Sequence, residues 1–168
     1  MGFLVWACYY FNMKETFELP PESVEGFTHT ADINGKVYDV YKLIELAKAI
    51  KPKIVPTALF DNNKGSKFWI TQEGQHIGPS DIINALGESV EDIDWDDLRK
   101  KHPEWEEHIE SIRNADYERH PIMYTQKDLI VDGMHRLTKA WIDKVEEIKA
   151  KWLEELPDSA LYKEPSEE

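Results

Sequence analysis

The chain has 168 residues, with 20 Lys and Arg against 33 Asp and Glu and a formal charge of −13. That length suits one domain with trimmings, able to bury a core without disulfide or metal staples. The charge speaks against a dedicated duplex-DNA binder, which needs a clustered basic surplus. Hydrophobic content of 41% and aromatic content of 11% exclude wholesale disorder. A single cysteine, Cys8, excludes a disulfide framework or a cysteine-based zinc site within one chain, which fits a reducing compartment.

Residues 3–11 (FLVWACYYF) are apolar. They are too few to span a bilayer, which takes about 20 residues, and they lack the basic flank and cleavage site of a signal peptide. They read as an edge strand, a loosely attached tail, or an upstream mis-start ahead of Met13. The expected location is cytoplasmic, with no membrane attachment. Residues 1–36 form a partly irregular N-terminal extension, in which residues 28–33 make a short strand entering the Asn34-Gly35 turn.

From residue 37 the apolar positions Val37, Val40, Tyr41, Ile44, Leu46, Ala47 and Ile50 recur at helical spacing, with Asp39 as a cap and Pro52 as a stop. Residues 53–59 (KIVPTAL) are an edge strand or a strand end, because Pro56 cannot donate to a ladder. Residues 61–78 read as a long loop around an anchored Phe68-Trp69-Ile70, and loops of that length often carry function. A short helix follows Gly78-Pro79-Ser80. Residues 88–97 carry six carboxylates and no basic side chain, and read as a solvated face or helix N-terminus. Residues 103–114 form an amphipathic helix with Trp105, His108, Ile109 and Ile112 on one side, His108 being a core-edge histidine.

Residues 121–124 and 129–131 make a hairpin around Gln126-Lys127-Asp128. A helix over 134–143 turns Met134, Leu137, Ala140 and Trp141 inward. Residues 145–153 fit a strand or a continuing helix on periodicity alone. Residues 154–168 are expected to be an acidic, disordered tail.

The segment LIVDGMHRLTKA, residues 129–140, concentrates the chemistry. A buried strand runs into a glycine and then a helix start bearing His135 and Arg136. Gly133 lets backbone approach a ligand closely. The helix N-terminus favours an anion, and Arg136 supplies a planar fork for phosphate or carboxylate. Asp132 is placed to hold a metal or orient a nucleophile, or simply to cap the helix. Lys139, one turn on, reaches a phosphate or is a solvated lysine. Arg136 equally suits an ion pair with a carboxylate such as Glu110. The local pattern is that of a phosphate or nucleotide site.

D-G-x-H-R after a hydrophobic strand resembles the ParB/sulfiredoxin superfamily, and the likeness spans residues 37–153. It implies an α/β (α+β) fold: a small mixed sheet with flanking helices and a strand over 147–153. It also implies a nucleotide (ATP, ADP or CTP) with Mg2+. Gly133, Met134, His135, Arg136 and Lys139 would lie at the phosphates, and Asp132 at the metal. Met134 stands where sulfiredoxins carry their catalytic cysteine, so sulfinic acid reduction is not expected. Too little chain follows Arg136 for the helix-turn-helix domain of a partition protein. Three readings stay open: a Mg2+-dependent phosphotransferase acting on a small molecule or nucleoside, a non-catalytic nucleotide- or partner-binding module, and a ParB-like nuclease. For phosphotransfer, Asp132 and His135 would be catalytic. Asp61 or Asp116 would replace the glutamate base of the related serine kinase.

Overall fold

The computed structural model describes residues 30–71, 73–87 and 93–163. Residues 1–29, with the apolar run and Cys8, and the acidic residues 88–92 lie outside them.

Strands β1 (Thr30–Ile33) and β2 (Lys36–Asp39) form an antiparallel hairpin. Its turn places Asn34 at φ 56° and Gly35 at φ 79°, the left-handed pair that an Asn-Gly turn supplies. Val37, counted in the helical run by its spacing, therefore lies in β2, and the boundary drawn at residue 36 cuts a hairpin. Asp39 fixes the change. Its carboxylate accepts from the backbone N–H of Tyr41 at 3.0 Å and of Lys42 at 3.3 Å, which caps α1 (Val40–Ala47). Val40, Leu43 and Ala47 are the buried stripe of that helix.

Strand β3 (Lys53–Pro56) is an edge strand ended by its proline and followed by a 3-10 turn over Thr57–Asn63. Strands β4 (Trp69–Ile70) and β5 (His76–Ile77) pair as a small hairpin that pins Trp69 in the core. Helix α2 (Pro79–Leu86) follows with proline at its first position. In α3 (Trp95–Lys101), Asp94 caps by accepting the Asp97 N–H at 2.8 Å, and the acidic first turn opposes a basic last turn. The acidic residues described here are thus a helix start. Helix α4 (Glu106–Arg113) buries His108, Ile109 and Ile112.

Strands β6 (Ile122–Thr125) and β7 (Leu129–Asp132) form the expected hairpin, α5 (Met134–Ile142) follows, and β8 (Glu147–Trp152) is a strand. The main sheet has the order β3-β8-β6-β7, with β8 parallel to β6 and antiparallel to β3. The fold class is α+β, a mixed four-stranded sheet with flanking helices.

Successive strand residues point to opposite faces, and neighbouring Ile122 and Met123 join different cores. Ile122, Ile148 and Ala150 pack with Phe60, Trp69, Ile82, Ile109, Ile112 and Leu137, under α2, α4 and α5. Met123 and Val131 pack with Ile33, Tyr38, Leu43, Ala47 and Leu153, under the first hairpin and α1.

Residues 154–163, expected to belong to a disordered tail, are ordered. Ala160 is fully buried in the second core, Leu161 bridges to Tyr38, and the Tyr162 N–H donates to the Val37 carbonyl at 2.9 Å. Burying Ala160 and pairing with β2 offset the ordering entropy that the acidic composition alone does not. Among the described residues no helix is long and apolar enough to cross a membrane.

Candidate functional site

Strand β7 hands over to α5 through Gly133, at φ 96° and ψ 22°. Other residues pay about 1–2 kcal/mol for that left-handed conformation. A Cβ there would stand 2.8 Å from Nη2 and 3.1 Å from Nε of Arg136, and 2.9 Å from Ile122 Cγ2. The group that approaches the glycine closely is therefore the guanidinium of Arg136, folded back over the turn.

Arg136 donates from Nη2 to the Asp132 carboxylate at 2.6 Å and, more weakly, to the Pro121 carbonyl at 3.4 Å. The two side chains are only 16% and 13% exposed. The Arg136 Nε is buried with no hydrogen-bond partner among the described residues. Glu110, considered above as a partner for Arg136, instead pairs with Arg99 and Arg113. Asp132 is not the cap of α5: the N-cap is Gly133, which has no side chain to accept the first-turn N–H groups.

His135 turns inward. It is 4% exposed, its ring lies flat on Trp69 at 4.6 Å, and its Nε2 stands 3.2 Å from Nδ1 of His108. Met134 is buried in the core. Lys139 is committed to Asp143 at 2.6 Å, at the far end of α5, where Asp143 also accepts from the Tyr117 hydroxyl at 2.9 Å. Burial first, and then that hydrogen bond, push the Tyr117 phenol up to about 12.

The two candidate bases differ in position. Asp61 pairs with Lys64 at 2.8 Å, and the Lys64 ammonium sits 5.1 Å from the centroid of the Trp141 ring. Trp141 is seven residues along α5 from Met134, roughly 10 Å at 1.5 Å per residue, so Asp61 belongs to the opposite end of that helix. Asp116 accepts the backbone N–H of Arg119 at 2.9 Å and of Glu118 at 3.1 Å, and these bonds hold its carboxyl below the usual range. His120 feels the charges of both Asp116 and Arg136, although burial is the first cause of its lowered pKa.

The structure adds residues to which sequence reasoning gave no role here. Tyr41, at the start of α1, has its phenol raised by burial and then by the nearby carboxylates Asp39 and Asp132. His120 lies within electrostatic reach of Arg136, and His108 and Trp69 pack against His135. One signal did point to His108, since a histidine on an apolar helical stripe needs a polar partner once buried.

An uncapped helix start with a guanidinium folded over its first turn, one N–H of which is unpartnered, fits a phosphate group. Fit to Mg2+ is narrower. Asp132 is the carboxylate at the turn, and no cluster of three or more metal-ligating side chains occurs among the described residues. One carboxylate holds Mg2+ only together with ligand phosphates, as in many nucleotide sites. No family model, curated protein or solved structure matches the chain.

Proposed function

We propose that this chain is a cytoplasmic, ParB/sulfiredoxin-like nucleotide-binding module that holds the phosphates of ATP, ADP or CTP at the start of α5, where Asp132 would be the residue that holds Mg2+. The observation that carries this reading is the position of Arg136, folded over the uncapped Gly133 turn with its Nε unpartnered. The Asp132 carboxylate holds the guanidinium in place and balances its charge. The first-turn N–H groups and part of the guanidinium would hold a phosphate, and Asp132 would then be the carboxylate available to Mg2+. The commitment of Lys139 to Asp143 and the remote position of Asp61 favour binding over catalysis.

Titration calorimetry with each nucleotide, with and without Mg2+, tests this. Mg2+-nucleotide is expected to bind, and Arg136→Gln to abolish binding. Asp132→Asn, which releases the guanidinium but removes the metal ligand, should strengthen binding of metal-free nucleotide and weaken the dependence on Mg2+. No binding of any of the three at millimolar concentration refutes the reading.

Phosphoryl transfer to a small molecule or nucleoside is the second reading. One observation favours it, the placement of His120 within electrostatic reach of both Arg136 and Asp116. Nucleotide turnover that is lost in Asp116→Asn while binding persists would select it. Metal-dependent DNA cleavage lost in Asp132→Ala would select a nuclease.

A further inference from the structure

His108 and His135 lie 27 residues apart on α4 and α5, and both are almost fully buried, at 2% and 4% exposure. Their rings are close to coplanar, 16° apart, and meet edge to edge, with Nδ1 of His108 3.2 Å from Nε2 of His135. The Trp69 indole stacks on both, at 4.6 Å from His135 and 5.2 Å from His108. The other nitrogen of His108, Nε2, stands 3.5 Å from the Ile70 carbonyl.

A carbonyl only accepts, so Nε2 of His108 carries the proton and donates to Ile70. In a neutral imidazole the other nitrogen is then an acceptor, so Nδ1 of His108 takes a proton from Nε2 of His135. In a neutral His135 that proton is the ring's only one, and its Nδ1 carries none. Each step follows from the one before it, and the order begins at a backbone atom that cannot change.

From this geometry we infer that His108 is a positioning residue for the phosphate turn: it fixes His135 as the neutral Nε2–H tautomer, locked flat on Trp69 beneath the first turn of α5. The inference rests on the nucleotide-binding reading above. It adds that His135 serves the turn as a neutral support beside the cationic Arg136. With His135 held at both its face and its edge, the first-turn N–H groups keep a fixed direction, which is the preorganisation that tight anion binding uses.

The experiment is 15N NMR of histidine-labelled protein at neutral pH, with calorimetry of Mg2+-ATP on the same samples. In the wild type, both rings are expected as Nε2–H tautomers. His108→Phe keeps a flat ring for Trp69 and removes the acceptor, so His135 should pass to a mixture of tautomers. Mg2+-ATP affinity should then fall about tenfold, the scale of one hydrogen bond. His108→Gln, whose amide both accepts and donates, should restore affinity to within about twofold. A proton on Nδ1 of His135 in the wild type overturns the inference, and needs no variant to fold. So does an Nε2–H tautomer that persists in His108→Phe, or a His108→Gln variant as weak as His108→Phe. The tautomers are read without nucleotide, so a wild type that binds none refutes the proposed function while the NMR still decides this inference.

Discussion

Arg136 reaches back one helical turn to Asp132 and donates to it at 2.6 Å, with its guanidinium packed against Gly133. The pair is shielded from most solvent, at 16% and 13% exposure, so breaking it leaves a poorly hydrated charge. Asp132→Asn and Arg136→Gln are each expected to destabilise the fold by about 2–3 kcal/mol, just below the range for fully buried pairs. The double variant should lose clearly less than the sum, because neither charge is then stranded. Urea unfolding of the four proteins measures this, and strict additivity would rule out the coupling.

Gly133→Ala tests the turn itself. A left-handed backbone and a methyl group 2.8 Å from the Arg136 guanidinium act together. The expected loss is at least about 2 kcal/mol, more than backbone conformation alone accounts for. If urea unfolding gave a loss below about 1 kcal/mol, the guanidinium would not be packed on that glycine.

Burial holds the His108 imidazole below its ordinary value of 6.5, against weaker opposing effects of the Ile70 carbonyl and Glu107. The unfolded chain therefore takes up the proton first as pH falls. The stability contributed by neutral His108 is present above about pH 6.5 and is lost as pH falls toward the lowered value of the folded state. Stability measured from pH 7.5 down to about 5 should decline more steeply in the wild type than in His108→Phe, which has no proton to gain there. Equal slopes would assign the decline to other groups.

The C-terminal segment gives a fourth prediction. Ala160 is fully buried between α1 and the first hairpin. Ala160→Glu forces a carboxylate into that space, and should lower stability by about 2 kcal/mol or more. A change within about 0.5 kcal/mol, the scale of a surface substitution, would detach this segment from the core.

The elements with a clean local period were readable in the sequence. The hairpin through Ile122 and Ile130, the α5 stripe of Met134 and Leu137, and the Asp39 cap all stand where they were expected. The place of Val37 was not, because it suits a helix as well as a strand, and only pairing with β1 decides between them. Ala160 and Leu161 give no periodic signal, since what orders them is Tyr38, more than a hundred residues away. At the candidate site, the sequence brought Asp132, Gly133, His135 and Arg136 to one turn. It did not reveal which partner each side chain takes. Arg136 chooses between Glu110 and Asp132 by geometry alone, and His135 meets His108 only because α4 and α5 pack side by side.

The place of β8 in the sheet also orders events in time. Strand β8 sits between β3 and β6, so neither pairs with its neighbour on that side until β8 arrives. On a ribosome, the β6–β7 hairpin and the β1–β2 hairpin form from nearby residues as they emerge. The sheet that joins the two cores waits for the chain to be made as far as Trp152. Until then β3 exposes both of its edges, and the lone proline at Pro56 and the lysine at Lys53 are what discourage it from pairing with a neighbouring chain.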